Sequence, residues 1–448
     1  MGTKTLLGDP KKAIIKLSIP MIIAMSAHTI YNLVDAIWVS GLGADALAAI
    51  GFVFPVFFMA IGLATGLGTG GGAAISRRIG ARDKEGADNV AVHTIVIMFI
   101  LTILFTIPLS VFAEEVFVWM GADRTIDMAV AYARVIFAGS ILLFFSNVAI
   151  SILRSEGDAR RAMYAMVLGT GLNIILDPIF IYTLDLGVEG AAWATIVSLV
   201  VSSLIMLYWL LIKADTYVSF NFSGFRFNRA IVEDILRVGL PASVMQLSMA
   251  FTMVIINLII VMVYSTDGVA IYSTGWRVVT IAILPLLGIS TAVVSVTGAA
   301  FGAGSFDKLN NAHFYSIRIG LLIETSIAVA TFLFAPQIAA VFTQAENASH
   351  IAPDLVTFLR IMCIFYPGVA FGMLSSSLFQ GVGKGMNALI VTILRSLVLT
   401  SLFAVLFAIK LDLGLIGVWW GIVIANLTGS MVAFSWARFY VRGLLKRM

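Results

Sequence analysis

The sequence predicts an all-α integral membrane protein, with twelve transmembrane helices in two pseudo-twofold-related six-helix bundles. Three observations predict it: an apolar composition, twelve apolar runs of spanning length, and an internal repeat whose parts recur in the same order. Of 448 residues, 60% are hydrophobic and only 12% are charged. The charged share is about half the soluble norm, and a soluble domain cannot hide so much apolar surface, so lipid is the expected solvent. The net charge of +4 comes without a long basic run, which argues against a nucleic-acid partner. One cysteine, Cys363, excludes an internal disulfide and a Cys-rich metal site. The first apolar run is too long for a signal peptide and reads as a retained helix.

A crossing needs about 20 mainly apolar residues. Twelve runs qualify, at roughly 13–39, 46–75, 88–113, 128–152, 160–184, 187–213, 232–264, 268–301, 311–335, 352–379, 386–410 and 414–438. They are uninterrupted, whereas barrel strands would alternate in segments of about ten residues.

Lys and Arg fix the orientation. One set of flanks carries Lys4, Lys11, Lys12, Lys16, Arg77, Arg78, Arg82, Lys84, Arg154, Arg160 and Arg161. It continues through Lys213, Arg226, Arg229, Arg237, Lys308 and Lys384 to Arg438, Arg442, Lys446 and Arg447. The alternate loops hold only Arg124 and Lys410, beside Asp45, Glu114, Glu115, Asp123, Asp185, Glu189, Asp267, Glu346 and Asp354. The alternation holds throughout, so both termini are expected on the cytoplasmic side of the cell membrane.

The repeat is read from four matches. Leu17-Ser-Ile-Pro20 pairs with Val238-Gly-Leu-Pro241, Gly80-Ala81 with Gly302-Ala303, and Leu153-Arg-Ser-Glu-Gly157 with Phe379-Gln-Gly-Val-Gly383. Leu184-Asp-Leu-Gly187 pairs with Leu411-Asp-Leu-Gly414. The offsets are 221, 222, 226 and 227, a slow drift expected of a duplicated unit with small insertions. Six spans per copy bring the second in from the same side, so the pseudo-twofold axis runs along the membrane normal. The expected organisation is an N-terminal lobe over 1–213, a cytoplasmic linker over 214–231 and a C-terminal lobe over 232–448. Two such lobes suit alternating access.

A carboxylate inside a membrane is costly and calls for a reason. The first span carries His28, Tyr31, Asn32 and Asp35 on one helical face. The fifth carries Thr170, Asn173 and Asp177, and the sixth Thr195, Ser198 and Ser202. Counted inward from the outer ends at about 1.5 Å per residue, Asp35, Asp177 and Thr195 fall roughly 8–10 Å below the outer interface. Pro178 removes a backbone donor and should bend the fifth span there. A lone carboxylate near a helix end could simply reach headgroup water; two on aligned faces point to function. The repeat places Ile256 opposite Asp35 and Phe403 opposite Asp177, so the first lobe reads as the ion side. Two chemistries fit. Close carboxyls can take up and release a proton. Alternatively Asp35, Asn173, Asp177 and Thr195 supply hard oxygen ligands for a metal ion such as Na⁺. Met25 and Trp38 flank the first stripe. With His28, Tyr31, Asn32, Thr170 and Ser198 they are candidates to line a substrate cavity.

The residues resemble the multidrug and toxic compound extrusion family, in the branch named after the DNA-damage-inducible protein F, and its archaeal members most. The resemblance rests on Pro20 to Gly43 with Tyr31-Asn-Leu-Val-Asp35 and Trp38, on Arg154-Ser-Glu-Gly-Asp158, and on Asn173-Ile-Ile-Leu-Asp-Pro178. Gly190-Ala-Ala-Trp-Ala-Thr195 and Gln380-Gly-Val-Gly383 add to it. It implies an antiporter that exports small amphipathic, often cationic drugs in exchange for H⁺ or Na⁺, without a cofactor. It also implies an ion site at Asp35, Asn173, Asp177 and Thr195, with Tyr31 lining the lobe. One departure is Ile150, where related members can have an asparagine. The expected partners are such organic cations and membrane lipid, with the chain working as a monomer.

Other features point elsewhere. Gly62 to Gly70 has glycines in a phosphate-loop rhythm but lacks Gly-Lys-Ser/Thr; small residues four apart let helices approach closely. Arg277, Arg395 and Glu324 are further intramembrane charges, open to gating, substrate contact, pairing or snorkelling. A lipid-linked saccharide flippase of related architecture is the alternative, but it wants several cations for a pyrophosphate and only Arg277 and Arg395 offer themselves. An intramembrane enzyme would need a nucleophile or metal constellation, and no His-Glu-x-x-His or Ser/His pairing at helical spacing occurs.

Overall fold

The computed structural model describes residues 2–122, 124–213, 215–222, 225–344 and 346–446. Asp123 and Arg447, counted above among the loop charges, lie outside them. All regular structure among the described residues is helical. The first six spans are α1 (Pro10–Ser40), α2 (Ala44–Gly80), α3 (Lys84–Val111), α4 (Ile126–Ala138 and Ser140–Ser155), α5 (Ala159–Thr183) and α6 (Gly187–Ile212). The second six are α7 (Arg229–Val263), α8 (Thr266–Ala282 and Leu284–Gly302), α9 (Phe306–Phe342), α10 (Ser349–Gly381), α11 (Gly385–Lys410) and α12 (Gly414–Leu445).

Two spans expected as single runs are broken. The halves of α4 meet at 47° around Gly139. A Cβ there would meet the Ile196 side chain at 2.0 Å, so the kink sits where a side chain of α6 presses on α4. In α8 the break at Ile283 precedes Pro285, which suits the first turn of a new helix and not the interior of an old one.

The duplication is written into the backbone. Pro178 ends the α-helical part of α5, which widens to π geometry over Ile179–Thr183; α11 widens likewise over Leu406–Lys410. Asp185 and Asp412 both turn the chain at φ 53°, and Gly187 and Gly414 both follow at φ 55°. A Cβ on Gly190 would meet the Phe180 carbonyl oxygen at 2.6 Å, and one on Gly417 the Phe407 carbonyl oxygen at 2.7 Å.

The chain forms two compact units, Met1–Leu7 with Ile19–Ser243, and Gly8–Ser18 with Val244–Met448. In the first, the glycine run of α2 is a packing stripe. A Cβ on Gly66 would lie 2.7 Å from the Gly239 carbonyl oxygen, and one on Gly70 would lie 2.3 Å from that of Ile235, so α2 and the start of α7 touch backbone to backbone. The linker is fastened to this unit by its peptide groups. Glu156 accepts the Tyr217 and Val218 N–H groups at 2.8 and 3.1 Å, Asp88 that of Ser219 at 2.8 Å, and His93 Nε2 that of Asn228 at 2.9 Å. The second unit is centred on Tyr272, Phe358 and Trp419, with the last two rings edge to face at 4.7 Å.

Candidate functional site

Asp177 lies fully buried on α5, one turn beyond the buried Asn173, and Asp35 on α1 is half-buried opposite it. The two carboxyls are within hydrogen-bonding reach of each other. Two carboxylates cannot donate, so that contact needs a proton on one of them or a cation between them. Neither Asp177 oxygen takes a hydrogen bond from any other donor. No Lys, Arg or His among the described residues pairs with either acid.

The surroundings are built from three helices. Asn173 Nδ2 donates to Thr195 Oγ1 on α6 at 3.4 Å, and Thr195 donates its own proton to the Ala191 carbonyl at 3.1 Å. That fixes the Asn173 amide with Oδ1 buried and without a partner. The Tyr31 hydroxyl reaches Thr195 and feels the charge of both acids. The four residues expected to form the ion site, with Tyr31, are therefore brought together. Their free atoms are two carboxyls and an amide oxygen beside a hydroxyl. This is a hard oxygen set able to share a proton or to surround Na⁺.

The other expected positions scatter. His28 is exposed and stacks obliquely on Tyr31 at 5.5 Å, and Asn32 is exposed. Met25 is half-buried. Thr170 and Ser198 turn their hydroxyls back onto the Met166 and Ala194 carbonyls at 2.9 and 2.8 Å, as isolated helix hydroxyls do. Trp38 packs with Val39, Ile181 and Ala191, and its carbonyl takes the Tyr182 hydroxyl. A hollow lined by Leu42, Met128 and Val188 lies apart, and none of the acid-pair residues lines it.

One neighbour was not foreseen. Tyr132 on α4 packs against Val39, Ile181 and Ala191, near enough to feel the charge of both Asp35 and Asp177. A single tyrosine in an apolar run has no periodic signal to single it out. On the same span Ile150 offers no polar group, and Asn147 Oδ1 accepts from Thr65 at 3.3 Å.

The MatE family model matches twice, over residues 20–179 and 241–406, once in each repeat. The chain belongs to the MatE family. Members of this family are transporters and not enzymes. Among curated relatives, this MatE chain is 28% identical over 429 residues to the multidrug export protein MepA of Staphylococcus aureus strain MSSA476, covering 94% of this chain and 92% of that one. It is 29% identical over 438 residues to MepA of Staphylococcus saprophyticus, with the same coverage. Among solved structures it is similar to the outward-facing conformation of a multidrug resistance MATE family transporter of the MOP superfamily, with a TM-score of 0.97, 50% identity and 99% of each chain covered.

Proposed function

We propose that this chain is a secondary active multidrug exporter of the cell membrane, with both termini cytoplasmic, which exchanges amphipathic organic cations for H⁺ or Na⁺. The observation that carries the proposal is the Asp35–Asp177 contact beside the unpaired Asn173 amide oxygen. Two negative charges pressed together in a low-dielectric site repel, and a proton or Na⁺ between them removes the repulsion. Whether the acids are charged then decides how tightly α1 is drawn to α5. In this reading Asp35, Asn173, Asp177 and Thr195 hold the coupling ion, Tyr31 and Tyr132 shield it, and a cationic drug competes for the same charge. The lobes are taken as 1–213 and 232–448, joined by 214–231. In this reading lipid surrounds the protein, which works as a monomer.

The test is uptake of a fluorescent cation into proteoliposomes under an imposed pH or Na⁺ gradient. Asp35→Asn and Asp177→Asn should each abolish the gradient-driven component while leaving binding of the dye measurable. Retention of that component in both variants would falsify the ion site. The gradient that drives the parent identifies the coupling ion.

A further inference from the structure

Among the described residues, the second unit carries a buried cation without a counter-charge. Arg395 on α11 is 92% buried within the fold (8% exposed), and its Nε and Nη1 have no hydrogen-bond partner. A guanidinium does not shed its proton at neutral pH, so it cannot neutralise itself as a buried carboxyl can. The other buried charge of this unit, Glu324 on α9, has both oxygens unpartnered and therefore does not pair with Arg395. An uncompensated buried charge is among the least stable arrangements a protein can hold.

The chain is shaped around this group. A Cβ on Gly429 of α12 would lie 2.6 Å from Arg395 Cβ and Cγ, so the arginine stem runs over that glycine. At its far end, a Cβ on Gly372 of α10 would lie 2.6 Å from Arg395 Nη1 and 2.5 Å from Ser430 Oγ. Ser430 is 1% exposed and its hydroxyl also has no partner. Two unpaired groups, a cation and a hydroxyl, thus converge above one glycine. The backbone yields at the same place: α11 takes π geometry over Leu394–Leu399, and Thr400 donates to the Arg395 carbonyl, five residues back, at 3.0 Å. Such bulges gather at functional positions. In the first repeat the matching crossing is Gly169 against Ser202, where a Cβ would meet Ser202 Oγ at 2.4 Å and no charge is present.

We propose that Arg395 and Ser430, over Gly372, form a binding site for a small anion in the second repeat, separate from the acid pair of the first. The ligand is a halide or a compact oxyanion. It accepts from the guanidinium and the serine hydroxyl in one charge-assisted set. A free anion and an anionic lipid headgroup offer the same chemistry.

The experiment measures thermal unfolding of the full-length protein in nanodiscs of zwitterionic lipid. Chloride, acetate or phosphate is titrated against gluconate at constant ionic strength. A parallel series uses nanodiscs containing anionic lipid. The parent's unfolding temperature should rise saturably with the small anion, or with the anionic lipid if the ligand is a headgroup. Arg395→Gln and Gly372→Ala should weaken that response about tenfold or more, Ser430→Ala less, and Asp35→Asn not at all. Crystals soaked in bromide should place an anomalous peak beside Arg395 if the ligand is a free anion. A parent that responds to neither source overturns the site. So does an undiminished response in Ser430→Ala together with either of the other two variants. Because Asp35→Asn is expected to keep the response, failure of the exporter reading and failure of the anion site are separable.

Discussion

The paired helices α5–α6 and α11–α12 descend from one ancestral unit and differ in what they keep. Both pairs retain the π stretch, the aspartate at φ 53°, the glycine at φ 55° and the glycine seated on a neighbouring carbonyl. None of these involves the acid pair, so they are the needs of the scaffold. What the second pair lacks is the site. Asn173, Asp177 and Thr195 have Leu399, Phe403 and Ile422 as counterparts, and Asp35 on α1 has Ile256 on α7. Four oxygen-bearing residues face four apolar ones. A duplicated fold thus sorts its residues without an alignment: what recurs serves the scaffold, and what does not recur is where the proposed ion site lies.

The comparison can be broken most severely by making the first repeat like the second. Asn173→Leu with Asp177→Phe should eliminate ion-driven transport in proteoliposomes. The reverse change, Leu399→Asn, should leave the gradient-driven rate within about twofold, because no carboxylate waits beside it. A rate unchanged by the first exchange would mean the asymmetry has no functional content.

The next effect concerns Glu156, whose counterpart is the buried Val382. Burial raises the Glu156 carboxyl to about 7 from an ordinary 4.5, against the pull of the Val218 and Tyr217 N–H groups. The folded protein therefore keeps a proton that the unfolded carboxyl would lose. The Glu156 contribution to stability is full below pH 4.5, weakens as the pH rises, and is lost above about 7. The increment is about 3 kcal/mol at most. Hydrogen exchange at Tyr217 and Val218, corrected for intrinsic rates, should show protection falling from pH 5 to 8 in the parent. Glu156→Gln should flatten the dependence; an equal slope in that variant would exclude Glu156 as its source.

Shared features should behave alike. Gly190→Ala and Gly417→Ala each push a methyl against a backbone carbonyl and should each lower stability by about 1–3 kcal/mol, read as matched losses in unfolding temperature. Markedly unequal losses would show that the repeats have diverged in packing as well as in chemistry. The smallest effect belongs to a difference that carries nothing. The exposed Arg229–Glu233 pair at 2.7 Å on α7 faces Gly8 and Lys12 in the first repeat. Glu233→Ala should change stability by less than about 0.5 kcal/mol.

The spans and the repeat were legible because both are properties of long windows. Twenty apolar residues in lipid have few alternatives to a helix, and Leu-Asp-Leu-Gly needs its turn wherever it occurs. The Asp35, Asn173, Asp177 and Thr195 cluster was legible because carboxylates are expensive in an apolar run and helical spacing puts them on faces. The kink at Gly139 was not, since a glycine before a serine is ordinary until Ile196 presses on it. Tyr132 was missed for a related reason: its partners lie 97 residues before it and 45 after it, and nothing local marks them. Trp38, Thr170 and Ser198 share the right face with the site residues, but packing and their own backbone carbonyls claim them first.

Glu156 and Asp88 take the peptide N–H groups of Tyr217, Val218 and Ser219, while His93 takes that of Asn228 and also sets its ring 4.9 Å from that of Phe225. The exposed Ser219 should accept most substitutions with little change in docking, whereas the buried Val218 should tolerate only apolar side chains of its own size. Proline deletes the donor wherever it is placed, so a proline scan would trace the fastening points at residues 217, 218, 219 and 228.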